Sequence, residues 1–97
     1  MKAVWLSNGE FFGLVSRKSE LWNKDGMHVG YLNEKGQVFA PDGHYLAELL
    51  GDRLVVQRMN KALQSETFAL KAPQIGMPSY LSCSSIELPA GYETFCP

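Results

Sequence analysis

A period of 17 residues runs through the first half of the chain and constrains its fold more than any other feature. Val4-Trp5-Leu6-Ser7-Asn8-Gly9 is followed by Leu21-Trp22-Asn23-Lys24-Asp25-Gly26 and then by Val38-Phe39-Ala40-Pro41-Asp42-Gly43. Each unit continues with an apolar residue (Phe12, Val29, Leu46), a small one (Gly13, Gly30, Ala47) and, two further on, an aliphatic one (Val15, Leu32, Leu49). A fixed period means one small supersecondary unit used several times.

Each unit reads as a β-hairpin. Its first strand opens on a pair of apolar residues rich in aromatic and β-branched side chains, which suit a packed pleated surface. Asn-Gly or Asp-Gly follows, a strong hairpin signal, and the expectation is a type I′ turn with positive φ at both central residues. The return strands are expected at Glu10–Val15, Met27–Leu32 and His44–Leu50. Short polar links between them imply an antiparallel meander. The shared apolar positions of the return strands are three apart, which a flat strand would place on opposite faces. Either a β-bulge at the small residue re-aims the strand, or both faces are buried and the small residue permits close backbone approach. The bulge is favoured, because a ring of hairpins needs bent strands.

The period places repeat starts at positions 4, 21, 38 and 55. The fourth unit, Val55-Val56-Gln57-Arg58-Met59-Asn60, has lost the turn glycine. Its return strand is expected within Ser65–Leu70. A helix over Arg53–Leu63 is the competing reading, and the phase continuity at Val55 favours the strand. From Ala72 onward Lys and Arg vanish, Pro73, Pro78, Pro89 and Pro97 interrupt the chain, and the repeat phase is lost. The expected organisation is a repeat domain over 1–71 and an arm over 72–97 that packs along it or on a neighbouring subunit. The fold class is therefore all-β, with four hairpins in a meander plus the arm.

The repeat resembles the four-fold beta flower domain, a small bacterial family of uncharacterised function. Leu21–Tyr31 and Val38–Ala47 carry the likeness, and the stretch from Pro73 to Pro97 parallels that family's Pro-rich tail. Met59-Asn60 at the fourth turn and Ala47 in place of glycine depart from the pattern. The resemblance implies four hairpins around a pseudo-four-fold axis. It implies no activity and supplies no catalytic residues.

Composition narrows the function classes. A chain of 97 residues forms one domain and buries a modest share of its surface, so self-association, most simply as a homodimer, is expected. A net charge of −1 argues against nucleic acid as partner, since such binding rests on clustered Lys and Arg. No apolar run is long enough to span a bilayer, and Met1–Leu6 is too short for a signal-peptide core, so a cytoplasmic location is expected. Cys83 and Cys96 are expected as free thiols in a reducing compartment.

Catalytic constellations are sparse. His28 and His44 fall one residue out of phase, hence on opposite strand faces, and no metal spacing is present. Cys83 has no neighbouring cation to activate it. The Asp-Gly pairs lack the remaining ligands of a calcium loop and are turn chemistry. No metal, cofactor or catalytic residue is assigned. Trp5, Trp22 and Phe39 share one repeat position and are expected as a core aromatic layer, while Phe11, His28 and Tyr45 share another. The leading expectation is a non-enzymatic interaction module acting through strand edges, an aromatic face and the arm. The alternative is a small-ligand binder or weak enzyme whose pocket is lined by Trp5, Phe11, Trp22, His28 and Tyr45.

Overall fold

A computed structural model describes residues 1–97. The chain is all-β. Eight strands run in sheet order with chain order: β1 (Lys2–Leu6), β2 (Phe11–Val15), β3 (Glu20–Asn23), β4 (His28–Leu32), β5 (Gln37–Phe39), β6 (Tyr45–Leu50), β7 (Arg53–Gln57) and β8 (Tyr92–Thr94). Consecutive strands pair antiparallel, and a short parallel pairing of β1 with β7 (Trp5 opposite Arg53, Leu6 opposite Leu54) closes the first seven into a barrel-like sheet. The molecule is a flat body of 37 × 33 × 20 Å.

The pairings explain how strands with apolar residues three apart can share one core. In β1–β2, Val4 faces Gly13 but Trp5 faces Phe11, so Phe12 is an extra residue. Val29 is extra in the same way in β3–β4, and Leu46 in β5–β6. Such a bulge turns the extra residue toward the face used by the residue after it. Phe12 accordingly joins Val4, Leu6, Leu21, Val38, Ala47, Leu54 and Phe95 in the central cluster, and Val15, Val29, Leu32, Leu46 and Leu49 pack against it. The small residues serve a second purpose. A Cβ on Gly13 would collide with the Trp22 carbonyl, and one on Gly30 with the Phe39 carbonyl.

The turns differ from the expected type I′ form. Only the glycines Gly9, Gly26 and Gly43 have positive φ (+93°, +81° and +87°); Asn8, Asp25 and Asp42 do not. Each loop has three residues closed by hydrogen bonds at both ends, as in Gly9 N–H to Leu6 C=O (3.0 Å) and Leu6 N–H to Glu10 C=O (2.8 Å). A type I turn followed by a left-handed glycine builds a loop of this length. The acidic or amide side chains act elsewhere: Asn8 Oδ1 accepts the Glu10 N–H and Asp42 Oδ1 accepts the His44 N–H. Asn8 and Asp42 cap their loops, Asn23 does so in the second by accepting the Asp25 and Met27 N–H groups, and the positive φ is left to glycine alone.

Beyond β7 the structure corrects the sequence reading. Arg58–Asn60 is a single 3-10 turn, neither a hairpin loop nor part of a longer helix. Residues 65–70 form no return strand. The strand that pairs with the outer half of β7 is β8, with Val55 opposite Thr94, Val56 opposite Glu93 and Gln57 opposite Tyr92. Tyr45 Oη stabilises this departure by accepting the Gln57 N–H (3.0 Å) and donating to Glu48 (2.7 Å), which also accepts from Asn60 (2.8 Å). Arg58 and Lys61 both grip Glu93 of β8 (3.0 and 2.7 Å).

The segment between β7 and β8 is a belt, and it has a period of its own. Ser65 N–H donates to Gly43 C=O, Gln74 N–H to Gly26 C=O and Cys83 N–H to Gly9 C=O, each at 2.8 Å. The donors are nine residues apart and the acceptors 17 apart, in opposite order. Phe68 and Ile86, each three past a donor, bond back to Pro41 and Ser7. Phe68, Met77 and Ile86 share that offset and tuck partly inward, while nearly all other belt residues are exposed. At each station the belt carbonyl (Ser65, Gln74 or Cys83) lies where a Cβ on the turn glycine would stand.

Gly26→Ala is therefore expected to cost about 2–4 kcal/mol, from positive φ plus the clash with the Gln74 carbonyl. Gly51 also has positive φ (+64°) but faces open space. Gly51→Ala is expected to cost about 1 kcal/mol. Urea denaturation of the two variants checks the difference; equal losses would mean that the belt does not press on the turn.

Candidate functional site

Trp5 lies between Val4 and Leu6, both members of the central cluster, so strand alternation sends it to the opposite, outer face. The aromatic residues at the shared repeat positions occupy the corresponding faces of three hairpins, outside the central cluster. They form cross-strand pairs: Trp5 with Phe11 (ring centroids 6.0 Å), Trp22 with His28 (4.9 Å, stacked) and Phe39 with Tyr45 (6.1 Å). The five candidate residues thus sit in three places and line no common pocket.

The belt covers these pairs. Tyr80 packs on Trp5 and Phe11 (6.3 and 5.5 Å), and Trp5 Nε1 donates to the Leu81 carbonyl (2.9 Å). Phe68 packs edge-on against Tyr31 (4.6 Å), which itself meets His28 edge-on (4.8 Å). Leu63 C=O accepts the Tyr45 N–H (3.2 Å). Phe11, Trp22, His28, Phe39 and Tyr45 are buried, and Trp5 is half-buried.

His28 is the most constrained of them. Its Nδ1 accepts the Lys71 N–H (2.9 Å), so that nitrogen carries no proton, and Nε2 is placed to donate to Gly30 C=O (3.1 Å). Both ring nitrogens are in use, which ties the belt to β4 and leaves no lone pair for a ligand. Its repeat position singles it out in the sequence, but the Lys71 contact has no local signal.

Lys71 contributes a second tie. Its ammonium pairs with Oε2 of Glu20, a buried carboxylate whose Oε1 accepts from Ser16 Oγ (3.0 Å). The Lys71 contact outweighs burial and, with Ser16, holds the Glu20 carboxyl below the ordinary carboxylate range. The same contact holds the Lys71 ammonium above its usual value. Tyr45 shows the opposite balance for an acid: burial first, then Glu48, raises its phenol well above the ordinary range and keeps it neutral.

Between the belt and the β4–β5 junction runs a groove of about 530 Å³, walled by Tyr31, Leu32, Phe39 and Phe68 with polar groups from Asn33 and Gln64–Thr67. Its volume lies within the range of small-molecule sites. No local sequence signal marks it, because one wall is the belt. Both cysteines are free and exposed, and no helix is long and apolar enough to cross a membrane. No protein-family model matches the chain, and neither a curated protein nor a solved structure matches it.

The Glu20–Lys71 tie has a testable pH signature. The folded carboxyl lies below its unfolded value, so its contribution is present above the ordinary carboxylate range and is lost as pH falls through the folded value. Glu20→Gln is expected to lower the thermal midpoint near neutrality, and its deficit against the unaltered chain should shrink steadily on acidification. A deficit independent of pH would show that the carboxylate's charge contributes nothing.

Proposed function

We propose that this chain is a non-enzymatic interaction module and that its belt docks a second copy of the chain. The carrying observation is the belt's division of labour. Backbone N–H groups and the inward residues Phe68, Met77 and Ile86 hold it to the sheet, while Leu70, Ile75 and Leu81 point apolar surface at solvent. Ile75 and Leu81 are 100% and 90% exposed, unusual for large aliphatic residues clustered along one segment.

The other two surfaces expected from sequence are less available. Closure of the sheet removes most strand edges, and the aromatic pairs are covered by the belt. A second copy is the occupant that charge favours. Residues 72–91 carry a single charged side chain, Glu87, so two belts can approach without repulsion, and no charge pattern selects a different partner. An isologous pairing of this kind produces a closed dimer. A cytoplasmic setting and the resemblance to the four-fold beta flower domain belong to the same proposal. So does an arrangement of four hairpin units about one axis, with β7 and β8 as the fourth and the belt inserted between them. The Val55–Thr94 pairing supports this view.

A second reading has its own observation, the groove beside Tyr31, Phe39 and Phe68. Its aromatic walls suit a small organic ligand.

Sedimentation equilibrium separates the readings. The unaltered chain is expected as a dimer, and Ile75→Ser with Leu81→Ser as a monomer whose stability is unchanged within about 0.5 kcal/mol per site. A chain that stays monomeric at high concentration would overturn the docking proposal and leave the groove as the site to pursue.

A further inference from the structure

Two links between hairpins are built alike, and their comparison isolates a site. In one, Ser16-Arg17-Lys18-Ser19, the Ser19 N–H bonds to Ser16 C=O (3.0 Å) and the Ser16 N–H to Glu20 C=O (2.9 Å). In the other, Asn33-Glu34-Lys35-Gly36, the corresponding bonds run from Gly36 to Asn33 (3.0 Å) and from Asn33 to Gln37 (2.9 Å). The main-chain frames match, so the differences lie in the side chains.

At the second link, Glu34 stands beside Lys35, and Asn33 Oδ1 accepts both the Lys35 and the Gln37 N–H groups. Charges and donors are balanced within the turn. At the first link neither balance holds. Ser16 is too short to reach as Asn33 does and instead accepts from the Glu20 N–H (3.2 Å), so the Lys18 N–H has no acceptor in the chain. Arg17 replaces the acidic residue, and neither Arg17 nor Lys18 has a carboxylate partner. The belt then brings a third cation, Lys71, to the same place.

These groups enclose an open concavity of about 410 Å³ lined by Met1, Ser16, Arg17, Lys18, Glu20 and Lys71. Three cations stand against one carboxylate, which is buried and already paired with Lys71. The side chains of the lining are therefore left with two positive charges in a protein whose net charge is −1. A concave surface of one sign concentrates ions of the other.

We propose that this concavity binds the phosphate group of a small organic phosphate monoester. A phosphate monoester carries nearly two negative charges at neutral pH and offers several strong acceptor oxygens. It would neutralise the surplus, take the planar donor fork of Arg17, and accept from Lys18 and its unclaimed main-chain N–H. A carboxylate would leave one cation uncompensated. The wall formed by Met1 supplies apolar surface for the organic part of the ligand. The site is separate from the aromatic groove and does not depend on dimer formation.

The test is a titration of the full chain with inorganic phosphate, followed by 15N–1H NMR at constant ionic strength with chloride as the balancing ion. The expected result is saturable movement of the Arg17, Lys18 and Lys71 amide signals. The double variant Arg17→Gln with Lys18→Gln is expected to weaken binding at least tenfold. Its thermal midpoint should stay unchanged, because both side chains are exposed. Lys35→Gln, on the matching link, is expected to leave the dissociation constant within twofold. Shifts that stay linear in phosphate, or an equal loss from Lys35→Gln, would overturn the proposal by showing only general ion screening.

Discussion

A main-chain hydrogen bond from the belt to a turn glycine, made three times, is the interaction on which the rest of the structure depends. Ser65, Gln74 and Cys83 each donate to a glycine carbonyl at the tip of a different hairpin. The bond forms at this distance because the acceptor residue has no Cβ. The turn geometry, with positive φ at that residue, would disfavour any other side chain for a separate reason. Two requirements thus converge on one position. The belt follows the hairpins in reverse order, and its last section delivers β8 to the open half of β7. It covers the outer aromatic pairs on the way. Without the belt, Trp5, Phe11, Trp22 and His28 would present their apolar surface to water.

The two periods are compatible for a geometric reason. In 17 residues the chain goes out and back as two strands and reaches the neighbouring hairpin. In nine residues of extended chain it covers roughly 30 Å, enough to step between neighbouring tips on a body 37 Å across. Closure of the sheet depends on a second set of small residues. The bulges at Phe12, Val29 and Leu46 bend the return strands, while Gly13 and Gly30 let the next hairpin's carbonyl approach. The resulting core is small; Phe95, just after β8, completes it, and the belt adds burial on the outer face.

The all-β class was legible because the repeat places apolar residues and turn glycines at fixed intervals, and those are local signals. The bulge was legible from one anomaly, apolar residues three apart flanking a glycine. The turn type was misjudged because Asn-Gly and Asp-Gly fit two loop lengths; the choice falls to a side-chain cap such as Asn8 on Glu10. The fourth return strand is expected within Ser65–Leu70, whereas β8 lies at Tyr92–Thr94, more than thirty residues beyond β7. The belt's own period was missed because its residues have little in common chemically. Ser65, Gln74 and Cys83 are equivalent only through their main-chain N–H groups, which no side-chain pattern records. For the candidate site, the repeat positions group five residues in one pocket, whereas the fold sets them in three separate pairs. Which pairs stand apart, and what covers them, depends on contacts such as Phe68 with Tyr31 and Lys71 with His28.

Amide hydrogen exchange, resolved by residue across positions 61–92, tests the central claim most directly. Slow exchange is expected at Ser65, Gln74 and Cys83, nine residues apart, with Phe68 and Ile86 also protected and their exposed neighbours exchanging fast. Uniformly fast exchange through this segment would contradict it, because a belt held by those hydrogen bonds cannot exchange like an unbound chain.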